Sequence, residues 1–103
     1  MAEKNIFHEF ISDPGLAEIY YIKSYLAALV VELIAKKDWT QTEAAERLGV
    51  KQPRISEIKK AKLDKFSVDF LLLLLVKLDY RFDIDFTPKR SRKPMTISLR
   101  STQ

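Results

Sequence analysis

Residues 40–60, Thr-Gln-Thr-Glu-Ala-Ala-Glu-Arg-Leu-Gly-Val-Lys-Gln-Pro-Arg-Ile-Ser-Glu-Ile-Lys-Lys, leave few options for local structure. Thr40 and Glu43 stand at the T-x-x-E spacing of a capping box, in which each side chain satisfies a backbone N–H that has no partner at a helix start. Trp39 and Ala44 occupy the N′ and N4 positions of a hydrophobic staple. Gly49 supplies the left-handed backbone that ends this first helix, and a second helix opens just beyond it. Ala44, Leu48, Val50, Ile55 and Ile58 then face a common core. Ala45 is small where the second helix crosses closely, at about 90–120°.

Two readings fit that pattern. A structural corner between two helices in an ordinary helical domain explains the inward positions equally well. It leaves the exposed side unused. Lys51, Gln52, Arg54, Glu57, Lys59 and Lys60 are predicted to point outward from the second helix, a set dominated by donors for phosphates and base edges. A helix-turn-helix on double-stranded DNA uses both sides of the segment.

The net charge of +4 hides a segregated distribution. Residues 51–65 hold six bases against Glu57 and Asp64, and residues 88–103 hold Lys89, Arg90, Arg92, Lys93 and Arg100 with no acid. The remainder is net negative. A basic stripe is the footprint of a phosphate-binding surface, although a charge run alone is more often a solvated face or a soluble tail. Coincidence with the reading helix favours nucleic acid for residues 51–65 and much less for the tail.

A chain of 103 residues with 47% hydrophobic content can bury one modest core. Cysteine is absent, which excludes disulfides and thiolate-bound metals and is compatible with a reducing compartment. The apolar runs 25–31 and 70–76 fall far short of the roughly 20 residues that cross a bilayer, and no signal-peptide pattern opens the sequence. The expected location is the cytoplasm, with no membrane partner. Enzymatic activity is not expected. His8 is the only histidine, so no imidazole or thiol constellation can form, and no cofactor is expected. Asp83 and Asp85 fall on the wet face of a strand, where paired carboxylates usually solubilise. Gly15 and Gly49 are the only glycines, too few for a phosphate-cradling loop.

Residues 1–12 form an N-terminal arm with the apolar Ile6, Phe7, Phe10 and Ile11. Asp13-Pro14 gives an N-cap with proline at N1, opening a long helix predicted to run to Lys37. Its stripe of Leu16, Ile19, Tyr20, Leu26, Val30, Leu33 and Ile34 is predicted to face the core. Ile22, Tyr25, Leu29 and Val31 widen the apolar surface, so the helix is either embedded among neighbours or meets another protein. A polar link at 62–65 precedes Ser67, which can cap a fourth helix rich in leucine. From Tyr80 the period changes to alternation: Tyr80, Phe82, Ile84 and Phe86 on one side, Arg81, Asp83 and Asp85 on the other. Met95, Ile97 and Leu99 repeat it after the basic loop. Two strands alone are marginal in water. They either pack on the helices as a hairpin or pair with a second chain, and a homodimer is the favoured expectation. The helix-turn-helix domain is assigned to residues 13–79 and the C-terminal β extension to 80–103.

Residues 39–58, with Phe66-Ser67, Asn5-Ile6-Phe7, the strand from Tyr80 and the basic loop, resemble small XRE-type helix-turn-helix regulators of the HigA-like antitoxin family. That resemblance implies a mainly α, lambda-repressor-like helix-turn-helix bundle with a short C-terminal two-strand β element. It implies base contacts by Lys51, Gln52, Arg54 and Glu57, with Gln52 leading. Backbone contacts would come from Gln41, Ser56, Lys59, Lys60 and Lys62, Gln41 also buttressing Gln52. The implied role is a repressor and antitoxin of a type II toxin–antitoxin pair. The alternative is a protein-binding module that neutralises a RelE-like toxin, with DNA binding secondary. An RNA-directed or nuclease function is the remaining class. Ala61 and Asp79 stand where many members carry glycine.

Overall fold

The computed structural model describes residues 4–89 and 92–103. The first three residues of the arm and Arg90 and Ser91 of the basic loop lie outside them. The described chain is mainly helical: α1 (Pro14–Lys36), α2 (Gln41–Leu48), α3 (Gln52–Lys59) and α4 (Val68–Lys77) are followed by β1 (Tyr80–Phe86) and β2 (Met95–Ser101). A 3-10 turn at Ile6–Glu9 precedes α1, and another at Leu63–Lys65 joins α3 to α4. This is the expected helix-turn-helix bundle with a two-strand appendage.

Three of the four helices, α1, α2 and α4, start where a side chain satisfies their first N–H groups. The Asp13 carboxylate accepts from Gly15 and Leu16, Thr40 caps α2, and the Ser67 hydroxyl accepts from the Phe70 N–H. The four helix ends are followed by left-handed residues at Asp38, Gly49, Ala61 and Asp79. At Gly49 the Val50 N–H bonds the Ala45 carbonyl and the Gly49 N–H the Glu46 carbonyl, a Schellman pair. Ala61 repeats this arrangement: the Lys62 N–H reaches Glu57 and the Ala61 N–H reaches Ile58. The turn is therefore built as at Gly49, with the backbone carrying the Cβ strain.

The core lies where α1 meets α3 and α4 and where α2 packs on α3. Leu48, Ile55, Ile58, Leu71, Leu74 and Leu75 are its largest fully buried side chains. Ala44 and Ala45 are buried at the α2 crossing, as their size predicts.

The N-terminal half of α1 departs from expectation. Leu16 and Ile19 are exposed, and the inward positions are Ala17, Leu26, Ala27, Val30 and Ile34. The reason is length. With 23 residues α1 spans roughly 35 Å, whereas the ten residues of α4 cover about 15 Å, so α1 overhangs the bundle. The arm covers part of the overhang: Phe7 stacks at a tilt on Tyr20, 6.0 Å between centroids, and the Asn5 amide donates to the Ala17 carbonyl at 3.1 Å.

β1 and β2 pair antiparallel within the chain, in register Phe82 with Leu99, Ile84 with Ile97 and Phe86 with Met95. The intrachain hairpin is thus the arrangement adopted. Only its root packs on the bundle, where Phe82, Ile97 and Leu99 join Ile22, Leu26, Val68 and Leu72 around an apolar groove. The C-terminus is stitched to Asp79, whose carbonyl accepts from Thr102 and whose carboxylate accepts from the Gln103 amide at 2.6 Å.

Candidate nucleic-acid interface

The geometry of α2 is set at both ends. Thr40 N–H donates to the Glu43 carboxylate at 3.0 Å, and Glu43 N–H donates to the Thr40 hydroxyl at 3.1 Å. The bond from the Thr40 backbone, helped by its hydroxyl, holds the Glu43 carboxyl below its ordinary pKa. At the other end the Lys77 ammonium donates to the Leu48 carbonyl at 2.7 Å, placing a cation on the negative pole of the helix. Beside Trp39, Lys37 and Arg47 lie 5.5 and 5.6 Å from the ring centroid.

With α2 fixed, the left-handed Gly49 aims α3 across it. Ile55 and Ile58 are buried at 0% and 2% exposure and anchor the inner side of α3. Lys51, as N-cap, makes no side-chain cap, and Pro53 sits in the first turn, where a missing N–H costs nothing. Lys51, Gln52 and Pro53 are consequently exposed. Gln41 from α2 meets Gln52, Pro53 and Ser56 from α3 around one shallow surface depression. Lys59, Lys60 and Lys62 are exposed at the far end of α3. Among the described residues the side chains of Lys51, Lys59, Lys60 and Lys62 make no hydrogen bond, ion pair or ring contact.

Arg54 and Glu57 are only partly exposed and are engaged within the fold, where the sequence predicts free outward side chains. One Arg54 guanidinium nitrogen donates to the Lys65 carbonyl at 2.7 Å, the group lies 4.3 Å from the Phe70 ring centroid, and Glu57 pairs with it at 3.7 Å. Their side chains are 35% and 25% exposed, so both are drawn into the junction between α3 and the turn leading to α4. A planar cation between a ring and a carbonyl satisfies both its face and its edge, which explains the preference for this position over solvent.

Two internal roles had no sequence signal. Lys23 on α1 donates to the Leu63 carbonyl at 3.0 Å, and Lys77 closes α2; the partners are 40 and 29 residues away in sequence. Together with Arg54 they fix the segments on either side of α3.

A family model described as a helix-turn-helix domain matches residues 6–87, most of the chain. The chain belongs to this family. It is accordingly a DNA-binding helix-turn-helix protein, and the match extends through β1, ending before the basic loop and β2. No match was found among curated proteins or among solved structures. Among the described residues no helix is long and apolar enough to cross a membrane.

Proposed function

We propose that this protein is a sequence-specific repressor of the XRE type, acting as a homodimer on double-stranded DNA, and that it is the antitoxin of a type II toxin–antitoxin pair. The observation that carries the DNA-reading part is the depression shared by Gln41, Gln52, Pro53 and Ser56, flanked by the unpartnered Lys51, Lys59, Lys60 and Lys62. In the major groove Gln52 bonds adenine bidentately while Gln41 and Ser56 contact the backbone, and the lysines neutralise phosphates. Arg54 and Glu57 brace α3 through the Lys65 carbonyl, the Phe70 ring and their own ion pair. Occupancy of a promoter by two such helices, one helical turn apart, blocks transcription without chemistry.

The dimer reading rests on the hairpin. Phe82, Ile84, Phe86, Met95 and Ile97 form one apolar face, 36–65% exposed. A hairpin with that face in water is marginal, and a second copy of the same surface covers it symmetrically. The antitoxin role rests on the family resemblance and on the exposed Leu16, Ile19, Ile22 and Tyr25 of α1, an apolar strip suited to a RelE-like toxin. The same strip supports the second reading, a toxin-neutralising module with DNA binding secondary.

The test compares Gln52→Ala and Lys60→Ala on a duplex enriched from a random pool and on a shuffled duplex. Gln52→Ala is expected to lose about 1–3 kcal/mol of discrimination between them. Lys60→Ala is expected to weaken both alike and to lower the salt slope by about 0.9. Identical behaviour of the two variants removes the base-reading role of Gln52.

A further inference from the structure

The basic side chains of this protein divide into two kinds. Outside residues 51–65 and the hairpin tip, every described one has a partner inside the fold. Lys4 pairs with Glu9, Lys36 with Glu32 and Arg100 with Asp83, the last at 2.8 Å. Lys23, Lys77 and Arg81 donate to main-chain carbonyls, and Lys37 and Arg47 lie beside Trp39. Cations without hydrogen bond, ion pair or ring contact occur in only two places among the described residues: the α3 region, and the tip of the hairpin at Lys89, Arg92 and Lys93.

We propose that this tip is a second DNA-binding element, which grips the phosphate backbone beyond the bases covered by α3 and carries no sequence information. The inference rests on the DNA reading of α3 and extends it to a part of the chain past the family match. Three observations support a duplex as the occupant.

The first is charge. Residues 87–94 contain no acid, so the charge of the loop is positive throughout. Lys89, Arg92 and Lys93 fall within five residues of the chain, and like charges so clustered gain by meeting a polyanion.

The second is reach. Seven-residue strands carry the tip about 20 Å from the hairpin root. The radius of gyration is 15.3 Å, against about 13 Å for a compact chain of this length. The longest dimension is 46 Å, against roughly 34 Å for one helical turn of duplex, so the molecule as a whole outspans the turn in which α3 would sit.

The third is presentation. The Thr87 N–H donates to the Pro94 carbonyl at 2.7 Å and Phe86 pairs with Met95, which closes the strands beneath the tip. Pro88 and Pro94 fix φ on both sides of it. A ladder closed up to Thr87 and Pro94 limits the chain freedom that the cations just beyond it lose on binding.

The experiment uses the whole chain and two triple variants: Lys89→Gln/Arg92→Gln/Lys93→Gln at the tip, and Lys4→Gln/Lys36→Gln/Arg100→Gln as a control with the same change in net charge. Affinity is measured against salt on a duplex enriched from a random pool by the unaltered protein, on a shuffled duplex, and on the enriched duplex trimmed to the bases α3 needs. The tip variant is expected to lose up to about 2.7 in the slope of log affinity against log salt per protomer, equally on the two long duplexes. On the trimmed duplex it should match the unaltered protein, and the control should keep nearly the full slope throughout. Ethylation interference with the unaltered protein should mark phosphates flanking the α3 site, a readout independent of how the variants fold.

An unchanged slope for the tip variant, or no interference outside the α3 footprint, overturns the proposal and leaves α3 reading intact. Absence of duplex binding by the unaltered protein overturns both. Loss of binding to anionic lipid vesicles with an unchanged DNA slope also overturns it, and assigns the tip to a membrane surface.

Discussion

The guanidinium of Arg54 lies 4.3 Å from the centroid of the Phe70 ring, so a residue of the reading helix is clamped to the helix that follows it. The same group closes the intervening turn through the Lys65 carbonyl at 2.7 Å. Arg54 therefore sets the angle at which α3 leaves the bundle. Removal to alanine is expected to cost about 1–2 kcal/mol of folding stability, from a partly screened charged hydrogen bond and the ring contact. Lysine should recover only part of that loss, because an ammonium cannot stack on the ring and bond the carbonyl at once. Denaturant midpoints measure both. A cost within about 0.5 kcal/mol, typical of an ordinary surface residue, would remove the strut role.

The turn after α3 stores strain that one substitution can release. Ala61 adopts φ 54°, a region that costs a residue with a Cβ about 1–2 kcal/mol. Ala61→Gly gives back part of this through the greater freedom of glycine in the unfolded chain, leaving an expected net gain of about 0.5–1 kcal/mol. Gly49→Ala should act in the opposite direction. Gly49 has φ 68°, and an added Cβ would lie 3.3 Å from the Lys77 ammonium nitrogen. Thermal unfolding of the two variants should move to opposite sides of the unaltered protein; movement in the same direction contradicts the backbone account.

Acid should weaken the start of α2 and of α4. The Thr40 backbone N–H lowers the Glu43 pKa, and the Ser67 hydroxyl lowers that of Asp69. A carboxyl whose folded pKa lies below its unfolded one stabilises the fold at pH above the ordinary carboxylate range, and that contribution disappears as pH falls through the folded value. Glu43→Gln should therefore flatten the acid limb of a stability-against-pH curve while changing little of its shape near neutrality. An acid limb of undiminished steepness would show that the capping carboxylate is not what titrates.

The apolar hairpin face makes the proposed dimer measurable. Ile84 and Ile97 face each other across the strands, 62% and 65% exposed. Ile84→Ser with Ile97→Ser is expected to convert a dimer to a monomer in sedimentation and to abolish the dependence of the unfolding temperature on protein concentration. A doubly substituted protein that sediments with the mass of the unaltered dimer would place the interface elsewhere.

Much of the fold is legible in the chain because its rules act over a few residues. The Thr40–Glu43 box, the Gly49 stop, the Asp13 and Ser67 caps and the alternation from Tyr80 each specify their element locally, and each stands in the structure at its expected position. Ala61 follows the same logic less visibly: the Schellman bonds override the preference of alanine, so composition alone understates the turn. Along α1 the periodicity is correct but its use is not, since Leu16 and Ile19 keep helical spacing in a stretch that no other helix is long enough to cover.

The sequence by itself determined the two crossed helices, the buried set from Ala44 to Ile58, and the supply of positive charge around α3 and at the tail. Only tertiary structure decided how that charge is divided. Arg54, Lys77 and Lys23 find carbonyls 11, 29 and 40 residues away and are engaged by the fold, whereas Lys51, Lys59 and Lys60 find none and stay unpartnered. Caps and periods are fixed by neighbours in the chain, but the partner of a long cationic side chain is whatever oxygen the packed helices bring within reach.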